Sequence, residues 1–344
     1  MTAGLPPVLA PVLAPVIEVE AADAAALDAA IAGADQPFVV RGLVKAWPLV
    51  MAARRSAREA RTHLLAHARE RDFTVSIGEP QAGGRLFYDA DMQMNFRMGQ
   101  GRLDKIFAGF DAAEDHPVVP TVYLASIDIE QFFSGLGDAN PMPLSPRDAL
   151  ASIWIGTPTR IAAHNDFPDN LACCAVGQRR FTLFPPDQFR NLYLGPIDNT
   201  PAGRAVSMVD LAAPDLAAYP RFADALAQAQ VAELEPGDAL YIPSLWYHHV
   251  EASAAFNVLV NYWWRESPRF LGQPQNALNH AILAIRDLPE AQRKEWRDMF
   301  EHYVFSGGAE AAVHVPARGR GVLAPFDAES AGRMHAFLLR SFSQ

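Results

Sequence analysis

The sequence predicts a mainly β protein built on a double-stranded β-helix, and two observations support this fold class. Between residues 118 and 265 the chain is a series of short apolar runs interrupted by proline and glycine, which is typical of a β-sandwich or barrel. Two of these runs carry His164, Asp166 and His248, which a barrel would bring to one interior. The flanking regions have helical patterns, so we expect N-terminal α/β additions and C-terminal helices around the core.

Composition narrows the expected partners and compartment. With 344 residues, 50% of them hydrophobic, the chain can bury a large core. A formal net charge of -10 offers no overall attraction to phosphate backbones, so we expect no nucleic-acid partner. No apolar run approaches the roughly 20 residues of a membrane span, and residues 1–15 lack a basic signal-peptide start. Cys173 and Cys174 are adjacent and unsuited to a structural disulfide, so we expect a cytoplasmic protein without a membrane partner.

Four regions are predicted along the chain. They are a proline-rich flexible arm over 1–16, an N-terminal α/β extension over 17–117, a catalytic barrel over 118–268 and a helical region over 269–344.

The N-terminal extension has both helical and strand patterns. Helices are predicted over 21–32, 52–71 and 103–110, and a strand over 37–42. The runs 73–77 and 85–88 read as a hairpin with Gly83–Gly84 at its turn. His63 and His67 have a spacing that suits zinc, but no third ligand is near, so we interpret them as part of a solvated helix face.

The barrel region is predicted from short strands with Pro and Gly punctuation, a pattern of the cupin and jelly-roll kind. The strands are expected over 122–126, 152–155, 160–166, 171–176, 179–184, 239–242, 248–252 and 256–264. Asp187 is a candidate N-cap for a short helix over 189–193. Residues 195–232 show no β period and are interpreted as an excursion that shapes a substrate mouth.

In the C-terminal region, apolar residues at helical spacing predict amphipathic helices over 276–286, 290–305 and 331–339. Their apolar sides would lie outside the barrel. A homodimer interface and a cover on the barrel wall are equally good uses for them, and the sequence leaves both open.

The chemistry of the predicted site depends on three side chains. His164 and Asp166 are two apart and would share one face of a strand, and a later strand offers His248. Two imidazoles and one carboxylate form a set that holds Fe(II) and leaves positions open for a substrate and oxygen. His249 would face the other way, and Trp246, Trp263 and Trp264 are interpreted as core residues.

Iron in this ligand set needs a co-substrate that supplies electrons, and a 2-oxo acid does so. The far carboxylate of such an acid requires a cation, for which Arg179 is the candidate, although Arg180 is equally suitable by composition. The Tyr123 hydroxyl is a candidate to complete that cradle. Asn170 and Asn261, on strands flanking the ligands, are candidates to hydrogen-bond the C1 carboxylate or a metal-bound water.

The residues around these positions resemble the cupin-like JmjC-type 2-oxoglutarate oxygenases, and within them the asparaginyl hydroxylase that acts on the hypoxia-inducible factor. The similarity lies in the order of several motifs: His164–Asn–Asp166, Asn170, the run from Gly177 to Phe189, Pro236–Gly–Asp–Ala–Leu–Tyr–Ile–Pro243, Trp246–Tyr–His–His–Val250 and Val260–Asn–Tyr–Trp263. It is close over about residues 118–265 and weaker over 37–47.

The resemblance implies a role for each matched residue. His164, Asp166 and His248 match the iron ligands, and Asn170 and Asn261 match asparagines around the co-substrate and metal. Arg179 stands where the family has a lysine for the distal carboxylate of 2-oxoglutarate, and Tyr123 matches a tyrosine that assists it. The sequence departs from the family at Arg179 and at Ile161, which replaces a threonine donor, and the substrate-contacting loops do not match.

We therefore expect an Fe(II)- and 2-oxoglutarate-dependent oxygenase that hydroxylates a protein side chain or a small amino-acid-like substrate and releases succinate and CO2. Two alternatives are a cupin metalloenzyme that does not use 2-oxoglutarate and a catalytically degenerate cupin that only binds its partner.

Overall fold

Within the residues described, fourteen short strands form two sheets. The strands are β1 Ala14–Pro15, β2 Ile17–Glu18, β3 Phe38–Val40, β4 Asp72–Gly78, β5 Phe96–Arg102, β6 Thr121–Asp128, β7 Leu150–Gly156, β8 Thr159–Asn165, β9 Asp169–Val176, β10 Arg179–Phe184, β11 Gln230–Leu234, β12 Ala239–Ile242, β13 Tyr247–Ala252 and β14 Asn257–Trp264. One sheet has five strands in the order β1-β11-β10-β13-β8, and the other has nine in the order β2-β3-β12-β9-β14-β7-β6-β4-β5.

The computed structural model describes residues 13–113, 120–142, 144, 147–306 and 310–342. Contacts divide the chain into two units, Met1–Trp264 and Arg265–Gln344. Most of the predicted arm, residues 1–12, lies outside the described residues. The rest of that segment contributes β1, which pairs with β11.

Ten α-helices accompany the strands within the described residues. They are α1 Ala24–Ala32, α2 Pro48–Arg55, α3 Ala57–His67, α4 Leu103–Ala113, α5 Ile129–Phe132, α6 Leu136–Ala139, α7 Phe222–Ala227, α8 Pro274–Ile285, α9 Glu290–Phe300 and α10 Ala328–Phe342. Many short strands with helices at both ends confirm the predicted mainly β jelly-roll class.

Strand alternation builds two cores in the first unit. Leu171, Cys173 and Ala175 of β9 face a core shared with the N-terminal helices, while Ala172 and Cys174 face a core shared with the five-stranded sheet. A strand buried on both faces reads as one continuous apolar run, which is what residues 171–176 show. The space between the two sheets is therefore where inward side chains of both sheets meet.

The predicted hairpin between runs 73–77 and 85–88 is wrong. Strand β4 pairs instead with β5, which lies at the sheet edge, and with β6. Arg85 forms a parallel bridge with Arg160, so the segment after the Gly83–Gly84 turn lies along β8. A Cβ on Gly84 would come within 2.9 Å of the Pro158 carbonyl oxygen, so this close approach requires glycine.

Three smaller expectations also need correction. The helix predicted over 52–71 is two helices, because Ser56 leaves the helical conformation and its hydroxyl accepts a hydrogen bond from the Glu59 amide. Asp187 is not an N-cap, since a 3₁₀ turn over Pro186–Arg190 has Pro185 at that position. The excursion over 195–232 ends in β11, whose pairing with β10 the local pattern does not reveal.

The second unit contains α8, α9 and α10, and a π-helical turn over Glu301–Phe305 extends α9. Large apolar side chains on these helices are exposed, including Leu283 at 81%, Phe305 at 71% and Leu339 at 68%. The homodimer expected through this region stays a prediction, which sedimentation velocity would test. In the described part of the chain, no helix combines the length and apolarity needed to cross a membrane.

Candidate metal centre

A β-bulge in β8 turns His164 toward the space between the sheets. Val250 on β13 pairs with Ile161 and His248 pairs with His164, so β8 places one more residue in this interval than β13 does. Ile161 and His164 both line the cavity although they are three residues apart, which regular alternation would not allow. Bulges re-aim side chains in this way and are common beside active sites.

His164, Asp166 and His248 are brought together at this bulge. Their potential ligand atoms all lie within 4.8 Å of one another. His248 Nε2 is 3.7 Å from an Asp166 carboxylate oxygen, and the two imidazole ring centres are 4.5 Å apart. Asp166 lies immediately after the last residue of β8, so a loop residue completes the set. Among the residues that the structure describes, no other group of His, Cys, Asp or Glu meets the same spacing for a metal.

Backbone contacts hold both imidazoles in one orientation. The Nδ1 atoms of His164 and His248 lie 2.8 Å and 3.1 Å from the carbonyl oxygens of Ala162 and Trp246. If Nδ1 donates in each case, Nε2 presents its lone pair to the shared space, as a metal ligand must. Burial, together with the neighbouring His164, lowers the pKa of His248 to about 4, which keeps that imidazole neutral at physiological pH.

His249 points away from this centre. Its Nε2 lies 4.0 Å from a carboxylate oxygen of Glu251, and it is absent from the cavity wall. The choice of His248 over its neighbour thus agrees with strand alternation.

The segment between the two ligand strands is tied to Asp166. The Leu245 amide donates a 2.9 Å hydrogen bond to the Asp166 carbonyl oxygen. Leu245 has φ of 68°, a left-handed conformation that is uncommon for a non-glycine residue and found more often at functional sites. Asp169 accepts hydrogen bonds from the Tyr241 hydroxyl and the Ser244 amide. These contacts fix the loop that carries the carboxylate ligand.

The three residues line a cavity of about 670 Å³ between the sheets. Arg179 also lines it, because Arg179 shares the inward face of β10 with Phe181 and Leu183. Arg180 faces outward and forms a 2.6 Å ion pair with Glu233. Of the two arginines, Arg179 is therefore the one that faces the cavity. Tyr123, Asn170 and Asn261 line the same cavity.

Several buried polar atoms in this cavity have no protein partner. An Arg179 guanidinium nitrogen, the Asn261 side-chain oxygen and the indole nitrogens of Trp154 and Trp263 are buried without a hydrogen bond. Such orphans are rare in proteins, and a cluster of them indicates a missing ligand or water. Three of the four are donors, so the group that satisfies them is rich in acceptor oxygens. The Asn261 amide nitrogen donates a 2.8 Å hydrogen bond to the side-chain oxygen of Asn170, and this bond orients both side chains.

Burial also governs the ionisation of the cavity wall. It lowers the pKa of Arg179, and nearby Cys174 and Tyr123 only partly oppose this effect. Burial raises the pKa of Tyr123, so its hydroxyl keeps its proton and can donate a hydrogen bond. No carboxylate neutralises the buried guanidinium among the residues described.

Some wall residues were not anticipated from the sequence. Trp263 lines the cavity, contrary to its interpretation as core, whereas Trp246 and Trp264 are core residues. Strand β5 contributes Phe96 and Met98, and a bulge in β6 contributes Ser126 at φ 51°. The loop over 200–204 contributes Arg204. Glycine-rich β5 and this irregular loop carry no strand or site signal in the sequence.

The other histidine pair that the sequence offers, His63 and His67, lies on α3. The rings of His63 and His67 are 4.9 Å apart, and burial followed by repulsion from His67 lowers the pKa of His63. No third ligand joins them among the described residues. Both rings are half-buried and His63 Nε2 is buried without a hydrogen-bond partner, so the pair is less solvated than the sequence suggested.

Comparison with known proteins identifies the fold family. The family model described as "cupin-like domain" matches residues 24–270. The chain is 30% identical over 192 residues to tRNA wybutosine-synthesizing protein 5 of Mus musculus, which covers 50% of this chain and 56% of that protein. It is 36% identical over 122 residues to lysine-specific demethylase JMJ31 of Arabidopsis thaliana, covering 35% and 22% respectively.

A third relative is HSPB1-associated protein 1 of Homo sapiens, 28% identical over 138 residues, which covers 39% of this chain and 27% of that protein. The chain thus spans from about a fifth to just over half of the curated relatives described here.

Proposed function

The chain belongs to the cupin-like domain family, and from this premise we propose that it is an Fe(II)- and 2-oxoglutarate-dependent oxygenase that hydroxylates a C–H bond. One observation carries the proposal. A two-histidine, one-carboxylate set and a buried arginine without a carboxylate partner line the same cavity. The first fits a ferrous ion and the second fits the distal carboxylate of a dicarboxylic co-substrate.

The donor set fits a catalytic metal that keeps open positions, as ferrous iron does in oxygenases. Catalytic zinc can use the same three ligands, so the preference for iron also rests on the buried Arg179, which suits the dicarboxylic co-substrate that ferrous oxygenases need. His164, Asp166 and His248 would hold the metal through both Nε2 atoms and one carboxylate oxygen. When bound, Fe(II) with 2-oxoglutarate and O2 would supply the oxidising chemistry: the co-substrate ends as succinate and CO2, one oxygen atom of O2 enters succinate and the other enters the hydroxylated product.

The protein's own residues position the co-substrate. Arg179 would pair with its distal carboxylate, with the proton-bearing Tyr123 hydroxyl as an additional donor. The Asn170–Asn261 pair lies on adjacent strands and would hydrogen-bond the end nearer the metal. Ile161 offers no donor, so Arg179 would carry most of the charge recognition. Apolar neighbours such as Phe181 and Leu259 limit water near the ion pair.

The relatives do not identify the substrate. One is named for tRNA wybutosine synthesis and another for lysine demethylation, so their names point to different substrates. The net charge of -10 does not favour a nucleic-acid substrate. We therefore keep a protein side chain or a small amino-acid-like molecule as the substrate of this proposal.

An anaerobic titration tests the proposal. The purified full chain with Fe(II) should develop a metal-to-ligand absorption band on addition of 2-oxoglutarate. His164→Ala and His248→Ala should abolish the band, while His302→Ala, in the second unit, should preserve it. Arg179→Gln should shift the titration to much higher 2-oxoglutarate concentrations, and Arg180→Gln should not.

Other outcomes would point to the two alternatives. Metal binding without any effect of 2-oxoglutarate would indicate a cupin metalloenzyme with different chemistry. No gain in melting temperature with Fe(II) or Mn(II) would indicate a degenerate binding protein. Either result would contradict the proposed oxygenase.

A further inference from the structure

The metal cavity contains a second cation that the proposed co-substrate does not use. Arg204 lines the cavity from the loop over 200–204 and is half-buried. Within the described part of the chain, its side chain makes no ion pair and no hydrogen bond. The chain has 39 acidic residues and 29 basic ones, so an arginine left without a carboxylate at a cavity wall is noteworthy.

The charges around the cavity leave one positive charge in excess. Among its described lining residues, Asp166 is the only carboxylate, and Arg179 and Arg204 are the only arginines. The charges of ferrous iron and dianionic 2-oxoglutarate cancel each other, and those of Asp166 and Arg179 also cancel. Arg204 therefore remains uncompensated, and a cavity with low-dielectric walls strengthens its attraction for an anion.

The loop that carries Arg204 is held at both ends. Leu194 and Ser207 form an antiparallel β-bridge at its base. The Ser207 amide donates a 2.7 Å hydrogen bond to the carbonyl oxygen of Ala163, which lies in the bulge of β8. On the N-terminal side of Arg204, the Asn199 carbonyl oxygen accepts a 2.6 Å hydrogen bond from the Tyr88 hydroxyl. A cation on a loop tied to the ligand strand is pre-positioned, which lowers the entropic cost of binding a substrate.

Much of the cavity wall is apolar. Its apolar residues include Leu86, Met94, Phe96, Met98 and Ala202, and Met94 and Ala202 pack against the same hydrophobic cluster as Val206. A volume of about 670 Å³ lies within the range of small-molecule pockets and leaves room for a second molecule beside 2-oxoglutarate. The adaptable thioether side chains of methionine suit an apolar body without fixed hydrogen-bonding needs.

We propose that Arg204 is a substrate-binding residue, and that the substrate is a small molecule with an apolar body and one carboxylate. The guanidinium would hold the carboxylate, and the apolar body would lie toward the metal ligands. This inference rests on the proposed oxygenase function, and it adds the chemical class of the molecule to be hydroxylated.

Binding of matched probes to the full chain tests this inference without turnover. The chain loaded with Mn(II) and saturating 2-oxoglutarate is titrated with phenylacetate and hexanoate, with phenylacetamide and hexanamide as neutral counterparts, and with phenyl phosphate. Enhanced relaxation of probe protons by Mn(II) reports binding near the metal. The carboxylates should bind about tenfold or more tightly than the amides, as expected for a hydrogen-bonded charged pair.

Two variants separate Arg204 from the general charge of the protein. Arg204→Gln should remove the preference for carboxylates and leave the 2-oxoglutarate absorption titration unchanged. Arg97→Gln is the matched control, because Arg97 is an exposed residue of β5 outside the cavity wall. That variant loses the same charge and should keep the preference.

The outcomes distinguish failure of this inference from failure of the oxygenase proposal. Equal binding of acids and amides, no binding of any probe, or an undiminished preference in Arg204→Gln would overturn the inference while 2-oxoglutarate still binds. Tighter binding of phenyl phosphate than of the carboxylates would overturn the carboxylate assignment. Loss of the 2-oxoglutarate band in the unmodified protein would instead overturn the proposed function.

Discussion

Replacing Arg179 by methionine should stabilise the ligand-free protein and weaken its binding of 2-oxoglutarate. Arg179 is 4% exposed, one of its guanidinium nitrogens has no partner, and burial lowers its pKa. Leaving a buried charge uncompensated costs about 3–5 kcal/mol in well-packed sites. Cavity water recovers part of this cost, so we expect the variant to gain about 1–3 kcal/mol of unfolding free energy, or about 2–5 °C in melting temperature for a chain of this length.

The same change removes the partner of a carboxylate. Loss of a charge-assisted pair worth about 3 kcal/mol should weaken 2-oxoglutarate binding about 100-fold. At a concentration 100 times the wild-type dissociation constant, 2-oxoglutarate stabilises the wild type by about 2.7 kcal/mol and the variant by only about 0.4 kcal/mol. Melting curves of the Mn(II)-loaded proteins, with and without 2-oxoglutarate, measure both effects.

Arg180→Met provides the matched control for this prediction. Arg180 is the next residue, but it faces outward, its side chain is 45% exposed and it pairs with Glu233. Surface pairs of this kind contribute about 0–1 kcal/mol, so both melting curves should stay close to those of the wild type. A ligand-free Arg179→Met protein that melts lower than the wild type, yet keeps the full shift with 2-oxoglutarate, would refute the assignment of Arg179.

Three further predictions follow from the core and the ligand strand. Burial raises the pKa of Cys174 to about 12 and that of Cys173 well above its usual value, so a thiol reagent such as DTNB should label neither in the native protein and both after unfolding. The neighbouring His249 lowers the pKa of Glu251, so the ionised Glu251 stabilises the fold above the unfolded pKa near 4.5, and this stabilisation is lost as the pH falls. Glu251→Gln should therefore flatten the acid limb of the melting-temperature profile, and an unchanged limb would contradict this. Inserting one alanine between Ala163 and His164 should shift His164 and Asp166 by one position against β13 and turn both side chains to the other face of the strand, so Mn(II) binding should be lost while the cooperative melting transition remains.

The sequence predicted much of the site because its chemistry depends on residue type and spacing. A His–x–Asp motif followed by a distant histidine on a second strand-like segment is an uncommon combination. The structure brings His164, Asp166 and His248 together. The reasoning from simple alternation was nevertheless incomplete, because the bulge in β8 is what aligns His164 with Ile161. Nothing in two consecutive alanines indicates where an extra residue enters a strand.

Long-range pairing explains what the sequence did not predict. Strand β5 has glycines in place of β-branched residues, and its pairing with β4 across the intervening loop decides that Phe96 and Met98 reach the cavity. The choice between Arg179 and Arg180 required the register of β10 against its neighbours. Arg204 lies on an irregular loop, where position depends on contacts with distant residues instead of local periodicity.

Anomalous diffraction at the iron edge, from crystals grown anaerobically with Fe(II) and 2-oxoglutarate, tests the metal centre most directly. We predict one strong peak in contact with His164 Nε2, His248 Nε2 and an Asp166 carboxylate oxygen, with the distal carboxylate of 2-oxoglutarate on Arg179. A peak elsewhere, or no peak at these three side chains under saturating iron, would contradict the proposed site and the reaction assigned to it.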